Sequence, residues 1–358
     1  MQRTAFVVLL AATLLLLAGC GGSNSNTGTH AFVVNSTGGT VQTYSIQGDG
    51  TLTAASSISV GANAECIVLV AAGSGAASGV KEFAYVAQKN QSNIGIFSVD
   101  SNGVLTSVGT AQDANFPTNL TTDGINIYAA NSSSPGISVF TINTTSGALT
   151  LASTTSTAFA PSFLLASGGF LYAAIPTAGI IEAFSINSSS GQVVELPAAL
   201  GPVVSAGVTP SSLALEGSYL LVADSGGNAV YVFQIQAGQG NLLTVAGSPF
   251  TVGQAPSSIL VDSASHVYVA NQNSNTIGAY SISGGQLSPL TGSPYTVKGQ
   301  GPVFLTLDPS GNAIYAADSA SGGIDEFGIS NVNNALTLTA LSGSPVTSSG
   351  GPVWIAVK

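Results

Sequence analysis

Charged side chains are scarce in this sequence, and arginine is almost absent from it. Only 6% of the 358 residues are charged, and Arg3 is the one arginine. Beyond residue 19, four lysines stand against fifteen carboxylates, which gives a net charge of −11. An acidic surface repels phosphate backbones, so the composition argues against nucleic acid as a partner.

Histidine and cysteine are equally rare, which limits the chemistry that the chain can carry. There are two histidines, His30 and His266, and two cysteines, Cys20 and Cys66. A zinc site needs three or four clustered ligands, so the sequence predicts no metal. It also lacks nucleotide-binding and hydrolase fingerprints, so we expect no cofactor and assign no catalytic residue. Cys66 lies in an apolar run and is predicted to be a small buried hydrophobe.

Helical periodicity is missing after residue 20, and the one long apolar run lies before it. Residues 5–17 are too few to span a bilayer as a helix, and with Arg3 they are typical of a signal peptide over residues 1–19. The run ends in Leu-Ala-Gly-Cys20, which resembles a bacterial lipobox. The resemblance implies cleavage before Cys20 and lipid attachment to its thiol. Gly21, at the next position, implies that the lipoprotein is sorted to the outer membrane. Residues 20–29 would then be the lipidated cysteine and a flexible tether.

Residues 30–358 consist of a repeated pattern of short strands. Two anchor positions lie 12 residues apart in all seven units, and successive second anchors are separated by 43 to 53 residues. The first anchors are Phe32, Tyr85, Tyr128, Tyr172, Leu221, Tyr268 and Tyr315, and the second are Tyr44, Phe97, Phe140, Phe184, Phe233, Tyr280 and Phe327. Four strands per repeat of this length predict an all-β, seven-bladed β-propeller.

The two ends of the repeat region predict how the propeller closes. The region begins with a second strand at His30 and ends with a first strand, residues 352–357. The C-terminal strand should therefore complete the first blade beside residues 31–34, because an open array would expose apolar faces at both ends. A glycine before each fourth strand should adopt positive φ, with Asn334 in that place in the seventh unit.

Polar side chains occur three residues after the first anchor in six of the units. We refer to them as the polar set: Asn35, Gln88, Asn131, Asp224, Asn271 and Asp318, with Ile175 in the fourth unit. They should lie together on the face that carries the loops into each first strand. They either terminate strands and stabilise turns, or form a ring that binds a ligand or cation above the channel. A second acidic set, Asp123, Glu216, Asp262 and Asp308, should supply turn residues on the opposite face.

The sixth and seventh units carry a family resemblance. Pro-Ser-Ser-Ile-Leu-Val-Asp262, Tyr-Val-Ala-Asn271 and residues 276–282 resemble the YVTN-type repeat of lactonase-like seven-bladed propellers, which include 6-phosphogluconolactonases. The resemblance covers about residues 30–358 and implies the fold. The active sites proposed for that family use His, Arg and Glu in the central cleft. Because this chain has no arginine after Arg3, no catalytic residue can be carried over.

Three functions follow from these features. The first is a lipid-anchored, extracytoplasmic binding module for a protein, glycan or small molecule, expected to be a monomer. The alternative is a lactonase-like hydrolase acting on a lactone in the central cleft. A phosphorylated lactone would suit a chain of charge −11 poorly. The third is a structural component of the cell envelope.

Overall fold

The computed structural model describes residues 28–112, 115–332 and 335–358. The predicted signal peptide, Cys20 and most of the tether lie outside these residues, as does Asn334. Within the described ranges, no helix is long and apolar enough to cross a bilayer.

Short β-strands joined by tight turns make up most of the described chain. Its helical residues form single 3-10 turns at Lys89–Gln91, Ala198–Leu200 and Gln272–Ser274. In chain order the strands are β1 (His30–Asn35), β2 (Thr40–Ile46), β3 (Leu52–Ser59), β4 (Ala64–Ala71), β5 (Val80–Gln88), β6 (Asn93–Asp100), β7 (Leu105–Gln112), β8 (Pro117–Thr122), β9 (Asn126–Asn131), β10 (Gly136–Ile142), β11 (Leu149–Ser156), β12 (Phe163–Ser167), β13 (Phe170–Ile175), β14 (Ile180–Ile186), β15 (Val193–Glu195), β16 (Val203–Ser205), β17 (Pro210–Glu216), β18 (Tyr219–Asp224), β19 (Ala229–Ile235), β20 (Leu242–Thr244), β21 (Phe250–Thr251), β22 (Pro256–Val261), β23 (His266–Asn271), β24 (Thr276–Ser283), β25 (Gln286–Pro289), β26 (Tyr295–Thr296), β27 (Pro302–Leu307), β28 (Ala313–Asp318), β29 (Gly323–Val332), β30 (Ala335–Ala340), β31 (Val346–Thr347) and β32 (Pro352–Val357).

These strands form seven antiparallel sheets, one for each predicted unit. From the inner strand outward they are blade 1 (β32-β1-β2-β3), blade 2 (β4-β5-β6-β7), blade 3 (β8-β9-β10-β11), blade 4 (β12-β13-β14-β15), blade 5 (β17-β18-β19-β20), blade 6 (β22-β23-β24-β25) and blade 7 (β27-β28-β29-β30). Each inner strand packs against the inner strands of both neighbouring blades, and the circle closes through β27, β32 and β4. The fold is therefore a seven-bladed β-propeller, which confirms the prediction from the repeat.

The last strand of the chain closes the circle. β32 pairs antiparallel with β1, with Ala31 opposite Val357 and Val33 opposite Ile355. The backbones of His30 and Lys358 also exchange hydrogen bonds of 3.2 and 3.0 Å. The first blade is thus built from both ends of the repeat region, as its register predicts.

The hydrophobic core is distributed between blades. One cluster joins blades 2 and 3 through Tyr85 and Phe140, and another joins blades 6 and 7 through Tyr268 and Phe327. The first anchor of every unit is at most 1% exposed. Because each blade buries both faces against its neighbours, a chain of this length needs no single large core.

Turn glycines fix both the hairpins and the contacts between blades. The glycine before each fourth strand has positive φ, as predicted: Gly50, Gly103, Gly147, Gly191, Gly240 and Gly285. The space beside each glycine is occupied by the preceding blade. A Cβ at Gly147 would lie 2.4 Å from the Phe83 ring, and one at Gly240 would lie 2.1 Å from Phe170. Any larger residue would therefore strain the backbone and push neighbouring blades apart.

The outer edge differs from the predicted four strands in blades 4 to 7. There a short additional strand pairs with the third strand of the same blade. In blades 5, 6 and 7 it follows a Gly-Ser-Pro turn whose serine hydroxyl accepts an N–H from that third strand. These bonds run to Ser248 from Val232, to Ser293 from Ala279 and to Ser344 from Glu326. Proline cannot continue the hydrogen bonding of an edge strand, so the edge splits in two.

Candidate functional site

An aromatic cluster occupies the centre of the propeller. Trp354 of blade 1 stacks on Phe304 of blade 7 with ring centroids 4.0 Å apart, and it lies 5.8 Å from the Phe163 ring of blade 4. The adjoining cavity, of about 300 Å³, runs along the inner strands of blades 5 to 7. None of the described residues that line it is ionisable. The channel therefore offers an apolar surface at this level, with no acid or base to act on a substrate.

Small or polar residues replace these aromatics in the other four blades and join each blade to the next. Each accepts a hydrogen bond from a backbone N–H of the following inner strand. The acceptors are Cys66 Sγ from Leu120, Asn119 Oδ1 from Leu164, Ser212 Oγ from Ile259 and Ser258 Oγ from Leu305. Cys66 is fully buried, which confirms its predicted place, and burial raises the pKa of its thiol.

Every member of the polar set is buried at the end of the second strand of its blade. Its hydrogen-bond partners lie in its own blade or in the loop that leads into the inner strand of that blade. These bonds join Asn35 to Thr40 and Ser348, Gln88 to Val60, Asn131 to Ser138, Asp224 to Val208 and Thr209, Asn271 to Thr276, and Asp318 to Asp325. The side chains thus stabilise local loops. That they also bind a ligand stays a prediction.

Blade 7 buries three carboxyl groups beside one another. Asp318, Asp325 and Glu326 are each 0% exposed. Burial, followed by the charge of Asp325, raises the pKa of Asp318 to about 8. Burial raises the pKa of Glu326 to about 7. Asp325 accepts hydrogen bonds from Gly299 N and Ser344 Oγ at 2.7 and 3.1 Å. Gly299 and the loop around it cover Asp318 and Asp325, whereas Glu326 Oε1 accepts the N–H of Leu52 in blade 1. These carboxyl groups are therefore better suited to a structural role than to contact with a substrate.

A histidine and an aspartate form an oriented pair on the opposite face. His266 Nδ1 lies 2.9 Å from Asp262 Oδ2, and Tyr268 donates its hydroxyl to the same oxygen at 2.9 Å. Burial would raise the pKa of Asp262, but hydrogen bonds from His266 and Tyr268 outweigh it and lower that pKa. The carboxylate therefore accepts the Nδ1 proton, which leaves Nε2 with the lone pair. Such an imidazole can take a proton from a water molecule.

Blade 3 contains the same turn with an amide in place of the imidazole. Asn126 is the first residue of β9, as His266 is of β23, and its side-chain nitrogen lies 3.1 Å from Asp123 Oδ2. Tyr128 donates to that oxygen at 2.7 Å. The pair in blade 6 is therefore a structural turn to which an acid–base group has been added. The sequence signal for this pair is the similarity between two units: Asp-(x)3-His-x-Tyr in blade 6 and Asp-(x)2-Asn-x-Tyr in blade 3.

The other acidic and histidine residues have clear structural places. Asp308 Oδ1 accepts the N–H of Ala313 at 2.7 Å, which agrees with its predicted role in a turn. Glu216 instead accepts the Ser265 hydroxyl at 2.6 Å and so links blade 5 to blade 6. His30 is 4% exposed at the start of β1, where burial and the charge of Lys358 lower its pKa. The described residues contain no cluster of three or more His, Cys, Asp or Glu placed to hold a metal ion.

Comparison with known proteins agrees with this architecture. Residues 23–164, 125–248, 196–299 and 242–357 match the model of the family described as lactonase, 7-bladed beta-propeller. The periplasmic gluconolactonase of Pseudomonas aeruginosa superimposes with a TM-score of 0.76 at 17% identity, over 92% of this chain and 98% of its own. A putative 6-phosphogluconolactonase of Bacteroides fragilis gives 0.74 at 17% identity, over 94% and 100%.

A more distant likeness is the virginiamycin B lyase of Staphylococcus aureus, with a TM-score of 0.54 at 17% identity, over 83% of this chain and 94% of its own. At such identities the likeness shows the fold alone. No curated protein matches the sequence. Because the family matches extend from residue 23 to residue 357, this chain belongs to the lactonase family of seven-bladed β-propellers.

Proposed function

We propose that this protein is a hydrolase that opens an uncharged lactone, with His266 as the general base. Membership of the lactonase family supports hydrolysis over the non-catalytic binding module that the composition alone favours. The observation that carries the proposal is the 2.9 Å contact between His266 Nδ1 and Asp262 Oδ2. The net charge of −11 beyond residue 19 and the lack of arginine there argue against a phosphorylated substrate.

The pair can carry out the reaction without a cofactor. Asp262 holds the Nδ1 proton, so Nε2 of His266 takes a proton from water as that water attacks the lactone carbonyl carbon. The ring C–O bond then breaks, and the leaving alkoxide takes the proton from His266. The product is the open hydroxy acid, and the imidazole returns to its neutral form. Asp262 acts as a positioning residue, because it orients the imidazole and stabilises its charged form.

His266→Asn tests this assignment. The change copies the turn of blade 3, where Asn126 makes the equivalent contact with Asp123, so the fold should tolerate it. We expect the rate of lactone opening to fall about 10²- to 10⁴-fold, because general base catalysis is lost. The measurement is acid release at constant pH from glucono-1,5-lactone and γ-butyrolactone, with the uncatalysed rate subtracted.

The control is the reciprocal change in blade 3, Asn126→His, which should leave the rate unaltered. Melting curves of both variants should stay close to that of the parent protein. The proposal fails if neither lactone is opened faster than in buffer, or if His266→Asn keeps the full rate.

We further propose that the domain is anchored to the outer membrane through lipidated Cys20, as a monomer with no nucleic-acid partner. The lipobox-like Leu-Ala-Gly-Cys20 supports the anchor. Cys20→Ser should abolish incorporation of radiolabelled palmitate and move the protein from the membrane fraction to the soluble fraction. Cys66→Ser is the matched control and should leave both unchanged. Equal labelling of the two variants would rule out Cys20 as the lipid site.

A further inference from the structure

A groove lies at the outer half of blade 6, beside the loop that leads into this blade from blade 5. Its volume is about 570 Å³, within the usual range for small-molecule sites. One wall is the short edge strand β21 of blade 5, with Phe250, together with the loop that follows it. The other wall is blade 6, with Asn271, Thr276 and Tyr280. It lies on the face of the polar set, opposite the face that carries His266.

Blade 6 has a glycine where most blades have a side chain, and this glycine lets the Tyr280 ring form part of the groove wall. Gly278 lies opposite Val269, two residues before Asn271. A Cβ there would lie 2.8 Å from the Tyr280 ring, which folds over this position. The corresponding residues in the other blades are Gln42, Glu182, Tyr231, Ser138 and Asp325, with a second glycine, Gly95, in blade 2. In blade 3, Ser138 occupies the space and accepts a hydrogen bond from Asn131 at 2.8 Å.

In blade 1, the asparagine that corresponds to Asn271 has all its hydrogen-bond partners within the chain. The Asn35 amide donates to Thr40 Oγ1 at 3.3 Å and accepts from the Ser348 hydroxyl at 2.5 Å. The Tyr44 hydroxyl donates to the carbonyl of Thr347 at 2.9 Å and so connects the two walls. Every polar atom of Asn35 that faces this loop therefore has a partner within the chain.

Blade 6 repeats this arrangement with the internal donor removed. Asn271 donates to Thr276 Oγ1 at 3.2 Å, as Asn35 does to Thr40. The counterpart of Ser348 is Val252, the third residue after the proline of the same Gly-Ser-Pro turn, and it has no hydroxyl to donate. Asn271 is 1% exposed, and its Oδ1 has no hydrogen-bond partner among the described residues. A buried acceptor without a partner is costly, so a donor from outside the chain is expected there.

The lining of the groove defines the chemistry of that donor. Its polar groups are an amide and several hydroxyls, and its remaining walls are proline, leucine and aromatic side chains, with no charged residue. Burial raises the pKa of Tyr280, so this phenol is neutral as well. Apolar faces combined with a few fixed polar groups favour a ligand with one apolar face and several hydroxyls. A charged ligand would lose its hydration without gaining an ionic partner.

We propose that this groove binds an uncharged sugar ring, one hydroxyl of which donates to Asn271 Oδ1. The site is separate from the pair formed by Asp262 and His266, and it does not depend on the proposed hydrolysis. Gln88, Asn131 and Asp318 also carry a buried side-chain oxygen without a hydrogen-bond partner among the described residues, but Asn271 is the member of the polar set that lines this groove.

Two substitutions of Val252 test the proposal. Val252→Ser restores the donor that Ser348 gives to Asn35, whereas Val252→Ala removes a similar amount of side chain without adding a donor. The probes are glucose, N-acetylglucosamine, maltotriose and cellotriose, titrated by calorimetry and by saturation-transfer NMR, with glucose 6-phosphate as the charged comparison. Binding of at least one neutral sugar is expected, with a Kd on the order of 1 mM.

Val252→Ser should weaken that binding about tenfold relative to Val252→Ala, because its hydroxyl competes for Asn271 Oδ1. Glucose 6-phosphate should bind more weakly than glucose. The proposal is overturned if no neutral sugar binds at concentrations up to about 50 mM. It is also overturned if the two Val252 variants bind equally well, or if the phosphorylated sugar binds best. Melting curves of both variants confirm that they are folded.

Discussion

Deletion of residues 352–358 is expected to abolish the cooperative unfolding transition of this protein or to lower its midpoint by more than about 15 °C. These residues form β32, the inner strand of blade 1, which pairs with β1 and packs against β4 and β27. The deletion removes Trp354 from the channel cluster and the buried Ile355 from its site beside Val33. The lost apolar burial is on the order of 5–10 kcal/mol, comparable with the stability of an entire domain.

A chain that begins at Gly28 is the matched control, since it keeps every described strand. It should melt within a few degrees of the parent protein. The truncated protein should also expose the paired edge of β1 and the face of blade 2, and so it should aggregate during expression or heating. If both proteins melt at the same temperature, β32 does not hold the propeller closed.

Asp318→Asn is expected to stabilise the protein by on the order of 5 kcal/mol at about pH 8. The side chain is fully buried in blade 7 beside Asp325, and its pKa is raised to about 8. Its unfolded form releases a proton near pH 4. Between these two values the unfolded state binds fewer protons than the folded state, so stability falls as pH rises. An amide resembles the protonated acid in shape and removes this loss.

The measurement is chemical unfolding of both proteins between about pH 5 and pH 8. The difference between them should be about 1–2 kcal/mol near pH 5 and grow as pH rises. Asp224→Asn is the control at the equivalent position of blade 5, where the carboxylate accepts N–H groups of Val208 and Thr209. That variant should lose stability, because one of the two acceptor oxygens becomes an amide nitrogen, which cannot accept a hydrogen bond. An Asp318→Asn variant that is less stable than its parent at pH 8 would contradict the pKa argument.

The architecture was predictable because its signal is repeated seven times. The 12-residue separation of the anchors fixes the central hairpin, and the register of the two chain ends determines closure. The fifth strands were not predicted, because three of the four follow a Gly-Ser-Pro turn that occurs in only three units, and the fourth, β16 of blade 4, lacks even that turn. A feature that occurs in only some of the units is not detected by a repeat pattern that is defined by the residues common to all seven.

The site was less predictable, since its properties depend on residues far apart in the chain. The position of Asn271 was evident from its place after Tyr268. Its unpaired oxygen depends on Val252 standing where another blade has Ser348, and the groove beside it is walled by Tyr280, whose ring packs over Gly278. In the same way, no motif of the sequence marks His266 as catalytic. Its contact with Asp262 is a matter of geometry, and the sequence suggests it only when two units are compared.

The positions of the Asp262–His266 pair and of the blade 6 groove both depend on the propeller being closed. Amide hydrogen exchange of the intact protein tests this closure most directly. Peptides that cover β32 and β1 should be protected to within about tenfold of β22, because β32 and β22 are both inner strands packed between neighbouring blades and β1 is paired on both sides. If the C-terminal peptide exchanges as fast as an unstructured chain while β22 stays protected, the circle is open and the structure described above is contradicted.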